Sequence, residues 1–256
     1  MTSAAAVAST AILPRVAIAS PQDPVIDAKP DQKLGGKPVS REKVPWKVVP
    51  FPLTQVRLGN GPCTIAMEAD RQYLRSLPPD RLLHTFRINA GLPSTVQPLG
   101  GWEAPDCELR GHYAGGHYLS ACALMYASTG DENLKKNAAL VVSELAKCQA
   151  AMKSGYLSAF PVEFFDRLRE RQEVWAPFYT IHKIMAGLLD MYVYCGNEQA
   201  LDTAEKMAGW VGGYSGPLSY EHMQRVLGTE FGGMREVLSN LYAVSGKEYY
   251  LSLIHI

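Results

Sequence analysis

The chain carries one phrase three times: "LMYASTGDE" at Leu124–Glu132, "DMYVYCGNE" at Asp190–Glu198 and "NLYAVSGKE" at Asn240–Glu248. Each sets a tyrosine four residues before a glycine. A glycine at that spacing ends a helix in a left-handed cap, and the tyrosine one turn earlier packs beneath the turn. Three helices are therefore expected to stop in the same way, each followed by a second helix; the second helix of the first pair opens behind Asp131, an N-cap residue type. Upstream of the phrases the apolar residues recur at three and four, as from Tyr118 to Tyr126, the spacing of one buried helical face.

Gly130, Gly196 and Gly246 stand 66 and then 50 residues apart. That is too long and too uneven for a solenoid of fixed period. Hairpins with unequal, decorated connections predict an all-α toroid instead, in which one helix of each hairpin lines an inner ring and its partner covers the outside. If the three tyrosine-glycine ends are equivalent, the opposite ends of the same helices carry "RGHYAGGH" at 110–117, "APFYTIHK" at 176–183 and "TEFGGMRE" at 229–236. His112 lies 14 residues before its tyrosine, His182 lies 10 before and Glu230 lies 12 before. At about 1.5 Å of rise per residue these are similar axial heights, so the polar ends converge on one mouth of the ring.

A mouth of imidazoles, carboxylates and flat aromatic faces suits a polyhydroxylated ligand. The candidate binding residues are His182, His112, Glu230, Trp102 and Glu236, with Trp175 as a second stacking face. Competing readings are a satisfied core histidine for His182, a packing role for His117 and a solvated helix position for Glu236. Gly232 and Gly233 at a helix start cost about 1 kcal/mol each relative to alanine, which points to close backbone approach by a neighbour or ligand.

Composition is consistent with a neutral partner. Twenty-five basic residues balance twenty-five acidic ones, so no global field draws the chain to nucleic acid or an anionic membrane, and no run is long and apolar enough to span a bilayer. The first residues differ from the rest. Residues 1–19 are Ala-rich and close on Ala17-Ile18-Ala19, an A-x-A pattern read as an export leader, twin-arginine-like and incomplete at its start, which implies a periplasmic or secreted product. Residues 20–50 are rich in Pro, Lys and Asp and read as a disordered linker; structure is expected over 51–250. Leu251–Ile256, "LSLIHI", resembles a translated sequencing adaptor and reads as a non-native tail. The five cysteines form no C-x-x-C pair, and three lie in helical patterns where a thiol packs as a small apolar group.

Taken together, "VRLGNGP", "YLRSLPPDRLLHTFRINAGLPS", "GGWEAPDCELRGHYAGGHYLSACALMYASTGDENL", "GYLSAFPVEFFDRL", "VWAPFYTIHKIMAGLLDMYVYCGNEQAL" and "EFGGMREVLSNLYAVSGKEYY" resemble the start of the catalytic domain of glycoside hydrolase family 127 and its relative family 146. The resemblance runs from Phe51 to Tyr250. It implies a partial (α/α)6 toroid, here only the N-terminal part of the barrel, in a retaining enzyme that releases terminal β-linked L-arabinofuranose from oligosaccharide or polysaccharide substrates of plant origin. It also implies zinc, cysteine ligands, a cysteine nucleophile and an acid/base glutamate in the full-length parent, in helices beyond this chain. None of the cysteines here matches the family's E-x-C or Cys-Cys motifs, so no nucleophile and no zinc ligand is carried over, and the fragment is expected to be inactive and to bind no metal. His182 in "YTIHK" matches the family's substrate-facing histidine. The alternatives are a non-catalytic helical scaffold binding glycan or peptide, or another α/α-toroid sugar enzyme: an unsaturated-glucuronyl hydrolase, an epimerase or a lyase.

Overall fold

A computed structural model describes residues 51–254; the leader and the linker expected over 1–50 lie outside them. The described residues are helical. In chain order the helices are α1 (Pro62–Ser76), α2 (Pro79–Asn89), α3 (Tyr118–Thr129), α4 (Glu132–Met152), α5 (Glu163–Arg169), α6 (Pro177–Cys195), α7 (Glu198–Ser215), α8 (Tyr220–Thr229), α9 (Met234–Ser245) and α10 (Glu248–Leu253). A π-turn over Tyr113–His117 leads into α3.

The three repeated phrases do what their spacing predicts. Gly130, Gly196 and Gly246 end α3, α6 and α9 at φ of 75°, 68° and 70°. In each, the glycine N–H donates to the carbonyl of the tyrosine four residues earlier, at 2.7, 2.9 and 2.7 Å. A side chain at that φ would be strained, which is why glycine recurs there. The next helices start on local caps where the sequence supplies one: Asp131 accepts from Asn133 N and Leu134 N at 3.1 and 3.3 Å, and Asn197 accepts from Ala200 N at 3.0 Å. Lys247 has no acceptor to offer and makes no side-chain cap.

Packing sorts these hairpins into two layers. α3 packs on α6 and α6 on α9, with α1 on the other side of α3. Their partners form a second row, with α2 beside α4, α4 beside α7, and α10 folded back on α9. This alternation of an inner and an outer row is the arrangement of a partial α/α toroid. Between the rows lies a continuous apolar core that includes Phe86, Tyr118, Leu134, Leu145, Ile184, Leu188, Met207 and Leu241. The final helix α10 extends through Leu253, which is buried.

The π-turn that leads into α3 touches α6 backbone to backbone. A Cβ on Gly187 would fall 2.5 Å from the Gly116 carbonyl oxygen, and one on Gly116 would fall 2.6 Å from the Lys183 carbonyl oxygen. This contact holds the mouth-side ends of the two helices close, so residues 112–117 and 179–183 face one another.

Candidate functional site

At the mouth-side end of the inner row five aromatic or imidazole rings form a chain. Trp102 lies 6.1 Å from His112, His112 is 5.6 Å from His117 and 6.0 Å from Tyr179, and Tyr179 is 5.4 Å from His182, all between ring centroids. Trp175 meets Trp102 edge to face at 6.3 Å, and the Lys183 ammonium stands 5.4 Å from the Tyr179 ring centroid. The structure thus brings Trp102, His112 and His182 together.

His112 is buried and oriented. Its Nδ1 lies 2.8 Å from the Leu109 carbonyl oxygen and 3.1 Å from Glu103 Oε1. Both partners only accept, which makes Nδ1 the donating nitrogen. Glu103 is itself buried, and its two oxygens accept from Gly111 N and Tyr113 N at 2.8 Å each. One carboxylate thereby caps the start of the π-turn and holds the first imidazole of the mouth. Glu103 went unrecognised in the sequence because it sits 8 and 10 residues before the groups it holds, outside the reach of local capping rules.

Glu230 plays the matching part on the second inner helix. Ala176, at the start of α6, has no side chain able to cap, and it adopts a φ of 51°, which is strained for a residue with a Cβ. Glu230 supplies the cap from 52 residues away, accepting from Phe178 N at 2.6 Å and Tyr179 N at 3.0 Å. Burial pushes its carboxyl up to about 7, against the backbone N–H groups of Phe178, Tyr179 and Gly232, which favour the charged form. Glu230 stands at the mouth as expected, with both oxygens engaged by backbone.

His182 forms the floor. It is 5% exposed, and Nδ1 is buried without a hydrogen-bond partner. Burial first, then Lys183 and His117, lower its pKa to about 4; the Tyr179 carbonyl opposes this in part, although it makes no hydrogen bond of normal geometry. The ring rests on Gly233, where a Cβ would lie 2.5 Å from Nε2. At Gly232, with φ of 51°, a Cβ would lie 2.6 Å from Tyr179 N. The paired glycines are therefore the close approach of α9 to α6 that their cost in helix stability implied. His117 is held low by burial, Lys183 and His112, and its Nε2 lies 3.5 Å from the Tyr179 hydroxyl. Two neutral imidazoles and a tyrosine share the floor at neutral pH.

Glu236 is not brought to these rings. It is exposed in the first turn of α9 and lines a cavity of ≈ 590 Å³ with Phe178, Gly232, Gly233 and Arg235, on which none of the five rings opens. Tyr179 was missed in the sequence, yet it stands one helical turn before His182, a spacing that put it on the same face.

The cysteines do not make a metal centre. Burial raises the thiols of Cys122, Cys148 and Cys195 to about 12, 11 and 11. Among the described residues no three His, Cys, Asp or Glu side chains are grouped so as to hold a metal ion. The described residues therefore supply no ligand set for the zinc that the family resemblance implies in the full-length parent.

A family model described as the catalytic domain of GH127 β-L-arabinofuranosidases matches residues 55–255. The chain belongs to the GH127 catalytic-domain family. Among solved structures it is similar to a GH127 β-L-arabinofuranosidase from Geobacillus stearothermophilus T6, with a TM-score of 0.57 and 20% identity over 78% of this chain. At that identity the likeness speaks for the fold, and it agrees with the two helical rows. The GH127 chain described here spans 32% of that protein's length. No curated protein matches in sequence. Among the described residues no helix is long and apolar enough to cross a membrane.

Proposed function

We propose that the parent protein of this GH127 chain is a retaining exo-glycosidase that releases terminal β-linked L-arabinofuranose from plant glycans, and that the ring cluster binds the sugar. The observation that carries the reading is the mouth itself. Imidazoles and a phenol lie at its floor, exposed indoles at its rim, and carboxylates are turned inward to hold backbone. With His182 and His117 kept neutral by burial, neither imidazole brings a charge to the floor, which matches uncharged hydroxyl groups better than an anionic ligand. His112 Nε2 accepts from a sugar hydroxyl, and the aromatic faces take up the C–H face of the ring.

In this reading the thiolate nucleophile, its zinc and the acid/base glutamate belong to later parts of the parent protein, and this chain supplies substrate binding. Export to the periplasm or outside the cell brings the enzyme to its polymeric substrate. The parent is expected to hydrolyse an aryl β-L-arabinofuranoside and not the α-L anomer. There, His182→Ala lowers kcat/KM by about tenfold to a hundredfold, the loss of one or two hydrogen bonds to the sugar, while the melting temperature changes little. Near-normal turnover with a large fall in melting temperature identifies His182 as a core histidine and ends its sugar role. The 256-residue chain alone is expected to hold no stoichiometric zinc and to show no turnover, which metal analysis and a chromogenic assay read directly.

A further inference from the structure

Trp102 and Trp175 are 64% and 49% exposed, unlike the other rings of the mouth. Both are mounted on rigid supports. Trp102 stands on the turn Gly101–Glu103, and the next side chain, Glu103, is tied to Gly111 N and Tyr113 N at 2.8 Å each. Trp175 donates its backbone N–H to Glu108 Oε2 at 2.7 Å, and Arg167 pins the other Glu108 oxygen at 2.7 Å. The indoles meet at 89° with centroids 6.3 Å apart. Next to Trp102 and against His112 is a recess of ≈ 290 Å³ walled by Tyr73, Leu77, Leu99 and Tyr113.

We propose that this recess and the indole pair form the subsite for the sugar unit to which the terminal arabinose is linked; the proposal rests on the glycosidase reading above. Along the ring chain, exposure falls from the two indoles to His112 and His182, each 5% exposed. A terminal unit takes the buried end, and the rest of the glycan leaves along the rim. A sugar ring presents an apolar C–H face and a hydroxyl edge. An indole half in water takes the face and leaves the edge hydrated. The recess lies at the lower bound of small-molecule sites, which run from about 300 to 1,000 Å³, so it accepts one ring unit. Because the backbone of both tryptophans is already fixed, little ordering cost is left to oppose binding.

The test is made in the parent enzyme. It compares kcat/KM on methyl β-L-arabinofuranoside with kcat/KM on a disaccharide whose second unit is also arabinofuranose. Wild type is expected to favour the disaccharide, and Trp102→Ala and Trp175→Ala each to lower that ratio by about tenfold through the disaccharide KM, with Trp→Phe retaining part of it. An unchanged ratio, or equal losses on both substrates, overturns the subsite. If wild type hydrolyses neither substrate, the glycosidase reading fails, and indole fluorescence then decides the subsite by itself. Quenching by the disaccharide that is lost in Trp102→Ala supports it, and no quenching overturns it.

Discussion

At the scale of the residue, His182 ties stability to pH. Its folded pKa of about 4 lies below the ordinary histidine value of 6.5. Between those values the unfolded chain binds more protons, so stability rises with pH there. Sign and window follow together: the contribution is complete above about 6.5 and is lost as pH falls toward 4. Lys183 and His117 face the same ring, and their charge is part of what holds its pKa down. Urea unfolding of wild type and His182→Gln at pH 7, 5.5 and 4.5 is expected to show a shallower fall in the variant, by an amount on the order of a few kcal/mol across the window. Parallel pH curves would exclude a buried neutral imidazole as their cause. Glu230 answers a different experiment. Removing its carboxylate leaves Phe178 N and Tyr179 N without their acceptor. Glu230→Ala is therefore expected to lower stability by about 1–3 kcal/mol, with Glu230→Gln in between because one amide oxygen remains.

At the scale of the element, the glycines separate by environment. Gly187 sits inside α6 with the Gly116 carbonyl where its Cβ would go, whereas Gly209 sits inside α7 with nothing within 4 Å. Gly209→Ala is expected to stabilise by about 0.5–1 kcal/mol through helix propensity. Gly187→Ala is expected to destabilise by about 1–3 kcal/mol, since α6 and the π-turn that leads into α3 must separate. Thermal unfolding of the two variants reads the opposite signs, and equal gains would mean that the crossing is loose. The same contrast explains what the sequence could reveal. A capping glycine is a local backbone event, so Gly130, Gly196 and Gly246 announced three helix ends and the hairpins that follow. The caps at the opposite ends come from Glu103 and Glu230 across loops and neighbouring hairpins, and no local pattern marks them. Glu230 was therefore located at the mouth from its height on the ring while its work as a helix cap stayed hidden. Glu236, a candidate because it lies in the same phrase as Glu230, is exposed in the first turn of α9, because the angle around a helix axis decides which face a residue serves and nearness in sequence does not.

At the scale of the whole molecule, the two rows of helices expose apolar side chains at both ends among the described residues. On one side α1 and α3 expose Ile65, Tyr73 and Leu124; on the other, the α8–α10 region exposes Tyr220, Phe231 and Tyr249 and carries the ≈ 590 Å³ cavity. With a formal net charge of zero at pH 7 and a pI near 7.0, little electrostatic repulsion keeps copies apart. Apolar surface of this kind is covered by association. The 256-residue chain alone is therefore expected to self-associate with rising concentration at pH 7. The salt response distinguishes the cause: ammonium sulfate strengthens apolar contact, whereas added sodium chloride would loosen an assembly held by ion pairs. Ile65→Asp on the first flank and Phe231→Asp on the second put a charge into each exposed patch without touching the core between the rows. Each is expected to shift sedimentation toward the monomer, and the pair to do so more than either alone, since the flanks are separate surfaces. A wild-type chain that remains monomeric at about 100 µM in sulfate would show that these faces are too small or too curved to meet, and would remove the apolar-flank argument.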